Sequence, residues 1–144
     1  QNVLSGYKYI IAPHNIGQNR INELIESIPL PAKRFSELTE ANASETDLVV
    51  VDNIGNLSSL YAYAAIAYVG GGFNASVHNI LEAAVYGIPV LFGPNHQKSA
   101  EAIGLKQFSI HNFESLKSAL TQLLQNDKLS IETGEKNKKF VAVE

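Results

Sequence analysis

Four stretches of this chain carry residue types that could do chemistry. The first is Gly70-Gly71-Gly72, which closes the apolar run "IAYVGGG". Glycine after a buried strand permits positive φ and lets a ligand approach the backbone closely. The helix that follows would present free N–H groups and a positive dipole end, suited to a phosphate or another anion. The same glycines also make a tight strand-to-helix turn with no ligand. The spacing departs from the G-x-G-x-x-G dinucleotide fingerprint, so spacing alone leaves both readings open.

The second cluster is Asn79 with Glu82, three residues apart and therefore on one face of a first helical turn. Asn-x-x-Glu is an acceptable capping box, with Glu82 returning to the Asn79 N–H. A carboxylate also offers two acceptor oxygens, which suits a vicinal diol such as the 2′- and 3′-hydroxyls of a ribose. Local pattern by itself favours the cap. The third is His14, directly after Pro13, which could donate to a phosphate or carboxylate or stand as an exposed loop histidine. A fourth stretch, Asp52-Asn53-Ile54-Gly55, ends another apolar run; an aspartate there could be catalytic, but Asp and Asn are ordinary turn formers.

Other chemistries find no support. The four histidines, His14, His78, His96 and His111, show no metal-ligand spacing. No Ser-His-Asp order, G-x-S-x-G elbow or Walker A loop is present. The general base that most transfer reactions need is not identifiable in this chain.

The elements that must hold these residues follow from periodicity. "YKYIIA" (Tyr7 to Ala12) is rich in aromatic and β-branched residues, ends at Pro13 and reads as a strand. "NRINELIESI" places Ile21, Leu24, Ile25 and Ile28 at helical spacing, and Pro29 ends it. "DLVVVDN" (Asp47 to Asn53) has the continuous apolar run of a strand buried on both faces. "NLSSLYAYA" reads as a short helix, and "IAYVGGG" and "IPVLFGP" as strands ending in glycine. Between them "HNILEAAVYG" is helical with Gly87 as its C-cap. "FESLKSALTQLLQN" is an amphipathic helix with Leu116, Leu120, Leu123 and Leu124 on one face, and a further helix starts near Leu129. This alternation predicts an α/β fold with a Rossmann-like parallel sheet and helices on both faces. Ligands bind such sheets at the carboxyl edge. Three loops belong to that edge: Pro13 to Gly17, Asn53 to Leu57 and Gly70 to Asn79.

Composition fits one ordinary domain over residues 1–144: 144 residues, 45% hydrophobic and 17% charged, with no internal repeat or linker-like tract. Cysteine is absent, which excludes disulfides and thiolate chemistry. The formal charge of −3 argues against a nucleic-acid surface. No apolar run reaches the roughly 18 residues of a membrane helix. The chain opens at Gln1, holds no Met, and stops at "EKNKKFVAVE" without a cap, as an excised piece of a longer protein would.

Taken together, "VVVDNIGNLSSLYAYAAIAYVGGGF", "HNILEAA" and "GIPVLFGP" resemble the C-terminal half of 3-deoxy-D-manno-octulosonic acid (Kdo) transferase, the lipid A glycosyltransferase of Gram-negative bacteria. The resemblance runs from about Tyr7 to Leu124 and is densest from Asp47 to Glu101. Phe73 after the glycines, and His14 where other members often carry Arg, resemble the Bacteroidetes branch. Asn56 stands where the family's loop has Glu, and Ala65 where Asp is common.

The resemblance implies a GT-B glycosyltransferase whose two Rossmann-like domains enclose the active site. The C-terminal domain binds the donor CMP-Kdo. The N-terminal one, absent from this chain, binds the lipid A precursor and supplies the catalytic carboxylate. It further implies an inverting, metal-independent reaction without a cofactor, at the cytoplasmic face of the inner membrane. By the same resemblance Pro13 and His14 contact the phosphate, Ile54, Gly55 and Leu57 pack on the cytosine, and Gly71 and Gly72 line the donor. Asn79 and Glu82 lie nearest the CMP ribose and phosphate. A Gly-rich turn, a helical Glu and a G-x-P turn are shared with many GT-B enzymes. A UDP-N-acetylglucosamine-using transferase or epimerase is therefore an alternative, as is a non-catalytic nucleotide-binding domain.

Overall fold

The computed structural model describes residues 6–53, 55, 57–70, 80–94, 104–105, 107–108 and 110–143. Of the candidate residues, Ile54, Gly71, Gly72 and Asn79 lie outside them. The chain forms two compact units, Gln1–Leu57 and Ser58–Glu144.

In the first unit, strands β1 (Tyr9–Ile11), β2 (Lys33–Arg34) and β3 (Leu48–Val50) form a parallel sheet in the order β1-β3-β2. Tyr9 pairs with Leu48 and Ile11 with Val50, while Lys33 pairs with Val49. Helix α1 (Gln18–Ser27) realises the expected apolar stripe. Its Ile21 is fully buried, and Leu24, Ile25 and Ile28 join it against Leu48, Val50, Tyr9 and Ile11. Helix α1 stops where the residue before Pro29 must turn extended: Ile28 has φ −88° and ψ 125°.

Two elements of this unit carry no apolar signal. Strand β2 is the dipeptide Lys33-Arg34, a charged edge strand held by its ladder to β3. Helix α2 (Glu40–Ala43) is set by its cap. The Thr39 hydroxyl accepts the Asn42 N–H at 3.3 Å, and Asn42 Oδ1 accepts the Thr39 N–H at 2.9 Å. Lys8 ties the start of β1 to the segment before β3 by donating to the carbonyls of Ser44 and Thr46, both at 2.9 Å.

In the second unit, α3 (Leu57–Leu60) opens at the boundary and runs into a 3-10 turn, Tyr61–Tyr63. Strands β4 (Ala67–Val69) and β5 (Val90–Phe92) pair in parallel, Ala67 with Val90 and Val69 with Phe92. Strand β5 is buried throughout, and its alternate side chains reach opposite faces. Val90 and Phe92 join Ala67, Val69, Ile80, Ala83, Ala84 and Leu105 in one cluster. Leu91 joins Ile110, Ala119 and Leu123 in another. Helix α4 (Leu81–Ala84) therefore lies on one face of the pair, and α5 (Phe113–Gln125) on the other, as helices on both faces require.

Helix α5 begins at a cap the sequence analysis did not name. Asn112 Oδ1 accepts the Ser115 N–H at 2.8 Å, and Ser115 Oγ accepts the Asn112 N–H at 3.1 Å. The tail helix starts earlier than Leu129 and runs long, as α6 (Asp127–Val143), with Asn126 Oδ1 accepting the Leu129 N–H at 3.0 Å. Its buried face holds Thr133, Gly134 and Asn137 rather than an apolar stripe. Gly134 lies directly on the turn at Gly87, and Asn137 Nδ2 donates to the Ile88 carbonyl at 2.8 Å. Asn137 Oδ1 in turn accepts from Gln107 Nε2 at 2.7 Å. Helix α4 ends sooner than the expected C-cap at Gly87: its C-cap is Val85, and Gly87, at φ +70°, follows in the turn with its N–H donating to the Ala84 carbonyl at 3.0 Å. Among the described residues no helix is long and apolar enough to cross a membrane.

Candidate functional site

In the first unit the parallel pairing of β1 with β3 sends the segments after Ile11 and Val50 out of one sheet edge, and the Val51 N–H donates to the Ile11 carbonyl at 2.8 Å. Pro13, His14 and Gly55 thus belong to loops of that edge, and Leu57 opens α3 just after them. His14 is exposed and Pro13 half-buried. Gly17 caps α1 and has no side chain to occupy the helix's first amides, and no acidic residue lies in the first turn. The loop is folded by Asn15, whose Oδ1 accepts the Gly17 N–H at 2.9 Å. The result is a ten-residue helix whose N-terminus points at the loop that holds His14.

After β3, Gly55 takes φ +96°, a left-handed conformation that L side chains rarely adopt, and a β-carbon there would meet nothing within 4 Å. The exposed turn leaves Leu57 with 39% of its surface open. An open backbone beside an exposed leucine can receive the flat face of a base.

Asp52, a possible catalytic acid by type, is committed elsewhere. Its carboxylate accepts the Ser36 N–H at 3.0 Å and the Ser36 hydroxyl, tying the end of β3 to the 3-10 turn (Phe35–Glu37) that follows β2. Burial pushes its pKa up, but the two Ser36 bonds and the Arg34 guanidinium outweigh that and hold it below 3.8. A carboxylate so held is a structural anion at neutral pH and a poor proton acceptor. Arg34 is likewise occupied: it donates to Gln18 Oε1 at 2.8 Å and to Asn22 Oδ1, and stands 3.8 Å from Glu37. The cleft lined by Asn22, Ile25, Ala32 and Arg34 therefore has no uncommitted cation at its rim.

In the second unit, β4 and β5 likewise end at one edge, where Gly70 and the segment Gly93-Pro94 follow them. Glu82 lies in the first turn of α4 and is exposed. The cap residue of the described helix is Ile80, whose side chain makes no cap bond, so Glu82 occupies the second helical position. The Asn79 half of the expected capping pair lies outside the described residues.

Two tyrosines that sequence reasoning passed over pair in this unit. Tyr61 and Tyr86 contact each other with ring centroids 6.4 Å apart and planes at 42°. Burial raises the Tyr61 phenol above its ordinary 10.0, and the Glu82 charge raises it further. No local signal could have found Tyr61, because it reaches α4 across twenty residues of chain.

No protein-family model matches the chain. Curated relatives do. The 3-deoxy-D-manno-octulosonic acid transferase of Aquifex aeolicus is 34% identical over 146 residues, covering 94% of this chain and 38% of the relative. That of Rickettsia prowazekii is 34% identical over 134 residues, 85% of this chain and 28% of the relative. That of Chlamydia trachomatis serovar D is 36% identical over 110 residues, 72% of this chain and 26% of the relative. The chain thus spans between a quarter and two fifths of the length of these relatives. Among solved structures, the C-terminal CMP-Kdo binding domain of WaaA from Acinetobacter baumannii matches with a TM-score of 0.73 and 17% identity. That match covers 98% of this chain and 92% of the other, so the two share a fold. By these similarities the chain belongs to the 3-deoxy-D-manno-octulosonic acid transferase family.

Proposed function

We propose that the chain is the donor-binding domain of a Kdo transferase: it binds CMP-Kdo, from which the whole enzyme transfers Kdo to a lipid A precursor (lipid IVA) during lipopolysaccharide synthesis. The observation that carries this reading is the fold match over 98% of the chain to a CMP-Kdo binding domain, in a chain whose relatives are Kdo transferases.

The site residues take roles their chemistry allows. Transfer breaks the bond between the sugar's anomeric carbon and the CMP phosphate oxygen, and the bonding electrons leave with the phosphate. Pro13 and His14, with the N-terminal amides of α1, would meet that developing charge, so no divalent cation is called for. Ile54, Gly55 and Leu57 would seat the cytosine, and Gly71 and Gly72 would let the donor approach the backbone. Asn79 and Glu82 would hold the ribose and phosphate, with the carboxylate accepting from the 2′- and 3′-hydroxyls. The acceptor hydroxyl would attack from the face opposite the leaving phosphate, inverting the anomeric carbon. A carboxylate of an N-terminal domain outside this chain would take its proton. Such an enzyme would work at the cytoplasmic face of the inner membrane, where donor and lipid acceptor meet.

Calorimetric titration of the chain with CMP and with UDP tests the reading. CMP should bind and UDP more weakly; a preference for UDP would favour the N-acetylglucosamine alternative and sink the Kdo one.

A further inference from the structure

In the first unit, the end of β2 and the 3-10 turn after it send hydrogen bonds to both loops of the sheet edge. Arg34 pairs with Val50 in the ladder, and its N–H donates to Glu37 Oε2 at 3.2 Å. Its side chain, only 19% exposed, reaches α1 and donates to Gln18 Oε1 at 2.8 Å and to Asn22 Oδ1. Gln18 and Asn22 stand four residues apart on one face of the helix, so a single planar guanidinium grips the start of α1 from the side. The N-cap residue, Gly17, has no side chain with which to do so. Ser36, two residues after Arg34, acts on the other loop. The chain leaves the sheet after Val51, and the next residue, Asp52, accepts both the Ser36 N–H at 3.0 Å and the Ser36 hydroxyl. Gly55 turns at φ +96° three residues later, so the stem of that turn is fixed by Ser36.

We propose that Arg34 and Ser36 are positioning residues for the donor: Arg34 fixes the first turn of α1, whose amides meet the phosphate, and Ser36 fixes, through Asp52, the turn at Gly55 that seats the base. One short stretch after β2 thus sets the place of both ends of the nucleotide. This rests on the reading that these two loops receive CMP. Arg34 and Ser36 act through the loops and contact no reacting atom.

The test titrates CMP into the ¹⁵N-labelled chain and reads its affinity together with two amide shifts, that of Asn19 in the first turn of α1 and that of Gly55. Both amides should move in the parent as CMP binds. R34K keeps the positive charge but gives up the fork, because an ammonium is a point charge. It should weaken CMP severalfold and shrink the Asn19 response, while Gly55 keeps its own. S36A should also weaken CMP severalfold, but with the Gly55 response shrunken and that of Asn19 kept. S36T, which restores the hydroxyl, should recover both affinity and shift. A unit that is merely loosened would lose both responses together. Parental affinity in R34K and S36A, equal shrinkage at the two amides, or no recovery in S36T overturns the proposal. Failure of the parent to bind CMP at all removes the donor reading itself, and this inference with it.

Discussion

Replacing Gly134 by alanine sets two effects of opposite sign against each other. Within a helix, Gly to Ala is favourable by about 1 kcal/mol, because alanine loses less backbone entropy on folding. Gly134 lies inside the seventeen-residue α6, so propensity alone expects a more stable chain. The packing expects the reverse. A β-carbon on Gly134 would sit 1.9 Å from the Gly87 carbonyl oxygen and 2.7 Å from its carbon, where ordinary contact begins at 3.4 Å. Both partners are backbone, so neither a rotamer change nor a flexible tip can relieve the clash. The helix or the turn must retreat by about 1.5 Å, the gap between those distances.

That retreat also stretches the bond from Asn137 to the Ile88 carbonyl, one turn along the same face. Overpacking typically costs 1–3 kcal/mol, and a buried group left unsatisfied costs about as much again. Less the propensity gain, the net loss is about 3 kcal/mol. For a chain of this size that corresponds to a fall in Tm of roughly 6–12 °C. Thermal melts followed by circular dichroism read it directly. E135A, at the neighbouring exposed residue of the same helix, serves as control and should stay within about 0.5 kcal/mol of the parent. If G134A melts at or above the parent's temperature, the close approach of α6 to the Gly87 turn is wrong.

Other expectations follow from the same structure. N137L should lose about 1–3 kcal/mol in chemical denaturation, since the Ile88 carbonyl loses its partner and Gln107 keeps only the Thr133 carbonyl at 3.5 Å. I21A, which empties a fully buried position between α1 and its sheet, should cost about 2–5 kcal/mol in the same assay. Because the folded-state pKa of Asp52 lies below 3.8, its stabilisation is present above that pH and is lost as pH falls through the folded value. The Tm difference between parent and D52N should therefore be widest near neutrality and narrow below about pH 3.8; a constant difference would discount the Ser36 bonds. E82Q should abolish CMP binding in calorimetry with its Tm unchanged, whereas lost stability would make Glu82 a helix cap instead.

Where the chain repeats apolar residues at a fixed period, the elements were legible from sequence. The stripe Ile21, Leu24, Ile25, Ile28 became α1 against its sheet, and the unbroken Val90-Leu91-Phe92 became a strand with a cluster on each face. The Leu116, Leu120, Leu123 face of α5 packs as its spacing requires. The parallel α/β class followed from their alternation. Strand β2 was not legible, because two charged residues acquire strand geometry only from the neighbour that pairs with them. Helix α2 was not either, since its signal is a cap of two polar side chains rather than a period. Of the candidate site, Pro13 and His14 follow β1 and Gly55 follows β3 at one sheet edge, while Leu57 opens α3.

Short-range pattern and strings of identical residues were enough to mark the apolar stripes that are buried, the alternation of elements, and the family the chain joins. Only the tertiary structure decided what the polar residues do. Asp52 is spent on Ser36, sixteen residues away, and Asn137 holds the turn at Ile88 across forty-nine. Tyr61 meets the ring of Tyr86, far along the chain. Such pairings have no period and no fixed spacing, since a polar side chain takes whatever partner the folded backbone brings within hydrogen-bonding distance.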